Sequence, residues 1–574
     1  MESRGAHSFL HINYSLITEL IRLVSYSVLV LLCCTSGIQA QVVKRDTLIE
    51  WSHFDYQLDA DYGLESFSST DIVTSTFQGI VLENEYVKIC LIPEFGARII
   101  SFVYKPTGKE QLYQNPIGVP YQIGSGIFYH DWLMVYGGIF PTFPEPEHGK
   151  YWTTPWNERI LADSPDEITV SMWLKDELDN PRHPGQYNNG VTGITCYFDV
   201  TLVAGQPYFT VDVRLENDAR TARYEYWTCL TLAPGSDVGN TFTPSASEMI
   251  VPIETYQVAW NPNNWMNGLD EVVSTGNPRI QTYDKLAHLS NWENMGIAYA
   301  YPDMQAPYYG VINHTNEQGV FRLSNDQSQT PGLKFWTWGD AQGLAADPTD
   351  FNNEARPYIE LWSGVSQEFF EDAILAANAT KAWQETYVPT VGIPVVNYLN
   401  EAVAFGSTMN ETTLVLYGFQ AAAQTNEYTL AVEVLSQDGT VVHRSSEEIT
   451  PDPLQSQQFS VDVSTLGLSF GDYDIRASVS LGGDELHTDH YTYNVEGTVP
   501  FDPELRLVNG VLELTFQSET LRNIYLYDLM GNQLAFKQAE DQQVQIPYPG
   551  YGVYILNVLA DGKRWSKKIQ IVTN

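Results

Sequence analysis

VLENEYVKICLIPEFGARIISFVYKPTGKEQLY, residues Val81 to Tyr113, is the stretch whose reading decides the fold class. A strand pattern runs through Ile89, turn formers interrupt from Pro93 to Gly96, a second run extends from Ala97 to Tyr104, and another turn follows at Pro106 to Gly108. Short runs of this kind, bounded by Gly and Pro, are the signature of strand, turn and strand. The same pattern continues outward. GITCYFDVTLVAGQPYFTVDVRLEND, Gly193 to Asp218, reads as a hairpin of two long strands around Ala204 to Pro207, and YEYWTCLTL follows at Tyr224. No helical period separates these strands. Between Asp46 and Pro389 the expectation is therefore one very large antiparallel sandwich, because a parallel sheet needs long crossover connections.

The chain has 574 residues, which at roughly 100 to 200 residues per domain points to about three domains. Hydrophobic residues make up 43% and aromatic residues 13%, which excludes disorder and favours pleated surfaces. Thirty Lys and Arg stand against 70 Asp and Glu, a formal charge of -40. Such a surface repels nucleic acid and anionic membranes, so neither is expected as a partner. A polyanionic substrate is disfavoured unless basic residues cluster locally, for which Arg98, Lys334 and Arg356 are the candidates.

At the amino terminus, Arg22 precedes the apolar run LVSYSVLVLLCC, and SGIQA ends in a small residue. This is the layout of a cleaved secretory signal over residues 1–40, cut after Ala40. The run falls short of the roughly 20 apolar residues of a membrane span, so no stable span is expected. The mature chain keeps Cys90, Cys196 and Cys229, whose spacing has no metal-ligand pattern and which allow at most one disulfide; buried free thiols are expected.

Aromatic and titratable residues are densest from Pro331 to Gly364, where PGLKFWTWGD and RPYIELWSG flank an acidic insert. Residues two apart on a strand share a face, which groups Trp336 with Trp338 and Tyr358 with Glu360 and Trp362. Lys334 stands on the first of these strands. A carboxylate between aromatic rings suits a sugar: the rings cover the apolar face of a pyranose while the carboxylate accepts hydroxyls or moves a proton. The competing reading is a set of core tryptophans with Glu360 satisfied by a neighbouring donor.

Taken in order, LIPEFGARIISFVYKPTGKEQLY, GGIFPTFPEPEHG, YWTTPW, YEYWTCLTL, PGLKFWTWG, YIELWSG and AWQETYVPTVG resemble the DUF5107 family over residues 46–395. The resemblance implies an all-β fold, the galactose mutarotase-like antiparallel β-supersandwich, as the body of a domain over residues 41–395. That fold is shared by aldose 1-epimerases, carbohydrate-binding modules, and domains of glycoside hydrolases and polysaccharide lyases. A saccharide or polysaccharide is thus the implied partner, with catalysis and plain binding both open. If the likeness to epimerases holds at the site, His148 in EHGKYW resembles the histidine that handles the ring oxygen, and Glu360 resembles the glutamate that takes the anomeric hydroxyl proton. Arg98 would then polarise a hydroxyl or ring oxygen and Trp338 would stack on the sugar. Trp336, Lys334, Tyr358, Trp152, Trp227, Tyr129 and His130 complete the expected substrate contacts. The epimerase pattern has a second histidine where this chain has Trp227 and Thr228.

Two other chemistries stay open. A tyrosine or histidine base from Tyr129, His130 and Asp131, with an arginine neutralising a uronate, would serve β-elimination by a lyase. Glu360 paired with Glu145, Glu147, Asp340 or Glu158 would serve hydrolysis. His183, His288 and His314 match no ligand spacing and are read as structural. WNPNNWMNG, Trp260 to Gly268, has the composition of a sugar-binding lid or of plain turn-forming residues, and the lid is the favoured expectation. No cofactor is expected, although DPTDFNNEAR, Asp347 to Arg356, has oxygen ligands for a structural calcium ion.

Beyond Pro389 the aromatics thin out. Residues 396–495 alternate regularly and resemble an immunoglobulin-like or fibronectin-like module of seven strands. Residues 496–574 contain IYLYDLMGNQLAFKQ and VQIPYPGYGVYILNVLADGKRWSKKIQIV, which resemble the C-terminal sorting domain of type IX secretion, a small β-sandwich. Arg564, Lys567 and Lys568 give it a basic patch on an acidic chain. With the amino-terminal signal, the resemblance implies the type IX secretion machinery as a partner and a secreted or outer cell-surface location.

Overall fold

The computed structural model describes residues 41–572 except 59, 61–63, 122–131, 135–136, 180–188, 260–278, 303, 341–356, 422–425, 470, 496–502, 509, 517–520 and 561–562. The expected signal segment, Tyr129, His130, Asp131, His183, residues 260–268 and residues 347–356 therefore lie outside the described residues. The chain divides into two compact units, the first running to Pro394 and the second carrying most of the remainder.

The first unit is all-β and built from two stacked sheets, among the described residues one of 14 strands and one of eight. The smaller sheet contains the expected hairpin, Ile194–Val203 paired antiparallel with Phe209–Asn217. Its burial alternates residue by residue, one face packed inward and the other partly exposed, as a sheet with one solvated face requires. The larger sheet behaves differently. Gly332–Thr337, Ile359–Gly364 and Trp227–Ser236 lie side by side and are buried at every position. Their inward residues, among them Leu333, Phe335, Leu361 and Leu230, join the main core with Val200, Val211 and Tyr387 from the opposite sheet. Their outward residues are covered by a second aromatic layer. Pairing is antiparallel except where Ser52 and His53 run parallel to Ile117 and Gly118.

The opening stretch folds as Val87–Ile92, a turn, and Arg98–Tyr104. The first strand thus reaches three residues past the expected Ile89, because Cys90 and Ile92 pack on the outward layer while Leu91 packs on the core. Gly96 has φ +76°, and a Cβ there would stand 2.0 Å from the carbonyl oxygen of Trp152. Only glycine lets the 150s loop approach so closely.

Beneath the outward layer lies a buried ion pair. Arg322 and Glu385 face inward from the smaller sheet at 2.9 Å, and neither is exposed. The Glu385 carboxylate also accepts from Trp383 and Tyr387 on its own strand and from Thr228 and Ser363 across the core, so both sheets are tied to one carboxylate. Burial alone raises a carboxyl pKa; here Arg322 and the surrounding donors outweigh it and hold Glu385 below its ordinary value.

Among its described residues the second unit holds two separate cores. The first lies between two four-stranded sheets, eight described strands against the seven expected, the extra one being the two-residue Tyr398–Leu399. The second lies between a three-stranded and a four-stranded sheet, and its Asp528 carboxylate accepts from the amides of Met530 and Asn532 to close the D-x-x-G turn. Cys90, Cys196 and Cys229 are free and buried. Among the described residues no helix is long and apolar enough to cross a membrane.

Replacing Glu385 by Gln leaves Arg322 buried without a counter-charge, and the expected cost is about 3–5 kcal/mol, read as a lower urea midpoint at neutral pH. Because the folded pKa lies below the unfolded value of about 4.3, the stabilisation is complete above that value and is lost as pH falls through the folded pKa. The gap between wild type and variant should therefore narrow on acidification.

Candidate functional site

Strand pairing sets the outward face of the larger sheet as a grid. Lys334 stands opposite Trp362, Trp362 opposite Cys229, and Cys229 opposite Phe140. In the adjoining row Trp336 stands opposite Glu360, and Glu360 opposite Thr231. Period-two alternation places all of these on the side away from the core, so the two expected sets, Trp336 with Trp338 and Tyr358 with Glu360 and Trp362, share one surface. Trp336 and Trp338 meet edge to face at 4.5 Å, and Tyr358 stacks on Tyr113 at 4.0 Å. Trp227, fully buried, lies across Gly364, where a Cβ would stand 2.3 Å from its ring.

Glu360 is 8% exposed and accepts from the Trp362 indole at 2.8 Å and from the Tyr358 hydroxyl. Tyr358 in turn accepts from the Trp338 indole at 3.2 Å. Burial raises the Glu360 pKa; the Lys334 charge and the two donors oppose that rise. The Lys334 ammonium sits 3.9 Å from the centre of the Trp362 ring and 4.7 Å from that of Phe369, and burial lowers its pKa.

The loop after Ile139–Thr142 brings His148 to this surface. Its imidazole packs on Trp152 at 4.4 Å and on Trp362 at 5.9 Å, so histidine and glutamate both touch the same indole. His148 and Trp152 are half-buried. Burial, reinforced by the charges of Lys334 and Arg98, pushes the His148 pKa down to about 3, so the ring is neutral at physiological pH. The loop is pinned by Lys150, whose ammonium is completely buried and reaches Asp176 at 3.1 Å, Glu145 at 3.6 Å and the carbonyls of Leu178 and Gly190.

Arg98 is present but sealed. It is fully buried 3.7 Å above the Phe140 ring, and its two terminal nitrogens donate to the carbonyls of Gly137 and Trp152 at 3.1 Å each. Burial lowers its pKa to about 9. Its place is that of a brace holding the loops that carry His148 and Trp152. Of the four carboxylates weighed as partners of Glu360, Glu147 adjoins His148 in sequence and acts electrostatically on Lys334. Glu145 belongs to the Lys150 anchor, Asp340 accepts from Ser245, and Glu158 lies on the exposed strand Asn157–Asp163 of the other sheet. Among the described residues no group of three or more His, Cys, Asp or Glu is placed to hold a metal ion.

Phe369, Tyr299, Glu225 and Lys150 were not singled out from the sequence. Phe369 packs on Trp227, Tyr299 and Trp362. Glu225 accepts from the Trp227 indole and the Phe370 amide, and burial raises its pKa to about 8. Lys150 alone carried a signal, a lysine directly after the glycine of EHGKYW.

A family model described as a domain of unknown function, DUF5107, matches residues 59–175. Among solved structures the chain is similar to a TPR-domain containing protein from Parabacteroides distasonis ATCC 8503, with 17% identity and a TM-score of 0.48 over 63% of this chain and 59% of that one. It is similar to a putative aldose 1-epimerase from Klebsiella pneumoniae subsp. pneumoniae MGH 78578, with 13% identity and a TM-score of 0.39 over 54% of this chain and 78% of that one. It is also similar to a galactose mutarotase-like protein from Clostridium acetobutylicum, with 9% identity and a TM-score of 0.37 over 61% of this chain and 99% of that one.

Two measurements check this geometry. By NMR, His148 should show no titration between about pH 5 and pH 8, and Lys334→Met should raise its midpoint without restoring the ordinary value of about 6.5, since burial is the larger cause. Gly364→Ala should displace Trp227, seen as an altered near-ultraviolet circular dichroism spectrum and a loss of about 1–3 kcal/mol from overpacking.

Proposed function

We propose that the first unit is a carbohydrate-active domain of the DUF5107 family that binds a saccharide on the outward face of its larger sheet and processes it there. The observation that carries this reading is that His148 and Glu360 both contact Trp362, His148 through ring packing and Glu360 through the indole N–H. Around them Trp336, Trp338 and Trp152 supply ring faces, and Lys334 supplies a cation.

In the enzymatic version Glu360 is the base. Its raised pKa makes it a stronger proton acceptor than an ordinary carboxylate, and the indole and phenol donors hold it in place. His148, held neutral, donates a hydrogen bond to the ring oxygen or passes on a proton, and Trp338 and Trp336 carry the sugar. Arg98 and Lys150 act as positioning residues. The secretory signal and the type IX sorting tail belong to the same proposal: the protein is exported and acts on extracellular saccharide outside the cell or on its surface. A non-catalytic binding or adhesion protein is the second reading, favoured by the anchoring of Glu360 through two donors.

The test incubates the mature protein with algal and plant polysaccharides and their constituent sugars. It follows reducing ends, the absorbance of unsaturated elimination products, and optical rotation. Glu360→Gln should abolish turnover and leave binding largely intact. Turnover surviving that substitution removes Glu360 from the chemistry, and binding without turnover in wild type selects the second reading.

A further inference from the structure

Lys334 is the group that the local structure leaves incomplete. It is 4% exposed, and its ammonium rests on the rings of Trp362 and Phe369. Among the described residues it donates no hydrogen bond and has no carboxylate within ion-pair distance. An ammonium carries three donors, and contact with two ring faces leaves room for an acceptor. The neighbouring charges do not supply one. Glu360 is engaged by the Trp362 indole and the Tyr358 hydroxyl and acts on Lys334 only through space, as does Glu147. The other nearby cation, Arg98, is spent on two main-chain carbonyls beneath the surface, and His148 is neutral.

We propose that Lys334 receives the anionic substituent of an acidic saccharide, a uronate carboxylate or a sulfate ester, at the rim of the Trp362 ring. The proposal rests on the saccharide reading of the site and narrows it to a charged substrate class. A pyranose carries such a group at its edge, so the anion can reach the ammonium while a ring face lies against the tryptophans. On a chain of net charge -40 the attraction is short-ranged. It selects the ligand at contact and does not steer it from a distance.

The experiment is calorimetric titration of the full mature chain with oligomers of galacturonate, glucuronate and mannuronate. Each is compared with its carboxyl-reduced counterpart and with an O-sulfated neutral oligomer, in wild type, Lys334→Met and Lys334→Arg. The expected result is that one acidic oligomer binds at least about tenfold more tightly than its reduced form. Lys334→Met should erase that preference while retaining the weaker neutral binding, and Lys334→Arg should keep part of it. A preference for the sulfated oligomer with the same dependence on Lys334 supports the inference and assigns the anion to a sulfate ester. Equal binding of acidic and reduced forms by wild type overturns the inference and leaves the saccharide reading standing, as does a preference that survives Lys334→Met. Should Lys334→Met not fold, the wild-type comparison and Lys334→Arg still decide. Absence of binding to every oligomer overturns both.

Discussion

One carboxylate sits where two sheets must agree. Glu385 is reached by a guanidinium, an indole and a phenol from its own sheet and by two hydroxyls from the opposite one, with no part of it exposed. A buried charge tolerates little displacement of its partners, because each lost contact restores part of the desolvation cost. Thr228 and Ser363 therefore have fixed positions, and so have the strands that carry them. Those strands hold Trp227 and Trp362 one residue away on the reverse side. The precision of the aromatic surface is set by a polar contact in the core beneath it.

Along the chain, the parts of the fold that follow from alternation were legible. The Ile194–Val203 and Phe209–Asn217 strands alternate as their sequences say, and the turns around Gly96 and Gly108 fall where glycine and proline stand. The grouping of Glu360 with Trp362 on one strand followed from the same period, and the pairing of Trp336 opposite Glu360 joined the two strands' sets on one face. The burial of the site strands on both sides did not, because a run such as GLKFWT reads equally as half-buried or fully covered until the second layer is known. Arg98 shows another limit. A sequence displays a guanidinium beside a turn, but whether it faces a ligand or two carbonyls is decided by segments 39 and 54 residues away. Glu385 left a faint sign: it shares parity with Trp383 and Tyr387, so a carboxylate stood on an inward-pointing register.

Charge is handled at two scales. Over the whole molecule acidic groups dominate and keep the surface hydrated. Around Trp362 the balance is local: two cations rest on aromatic rings, one braced by main-chain oxygens and one not, and their fields add to the burial that keeps a nearby imidazole uncharged. A neutral histidine and a carboxylate that resists ionisation thus share contact with one indole.

The three thiols occupy three different depths. Cys196 lies in the core between the sheets, Cys90 in the outer layer near Trp51, and Cys229 under the aromatic grid beside Trp362 and Phe140. None of these three is bonded to another. Each sulfur is also a native label: the order in which alkylating reagents reach the three would report which layer of the molecule breathes first.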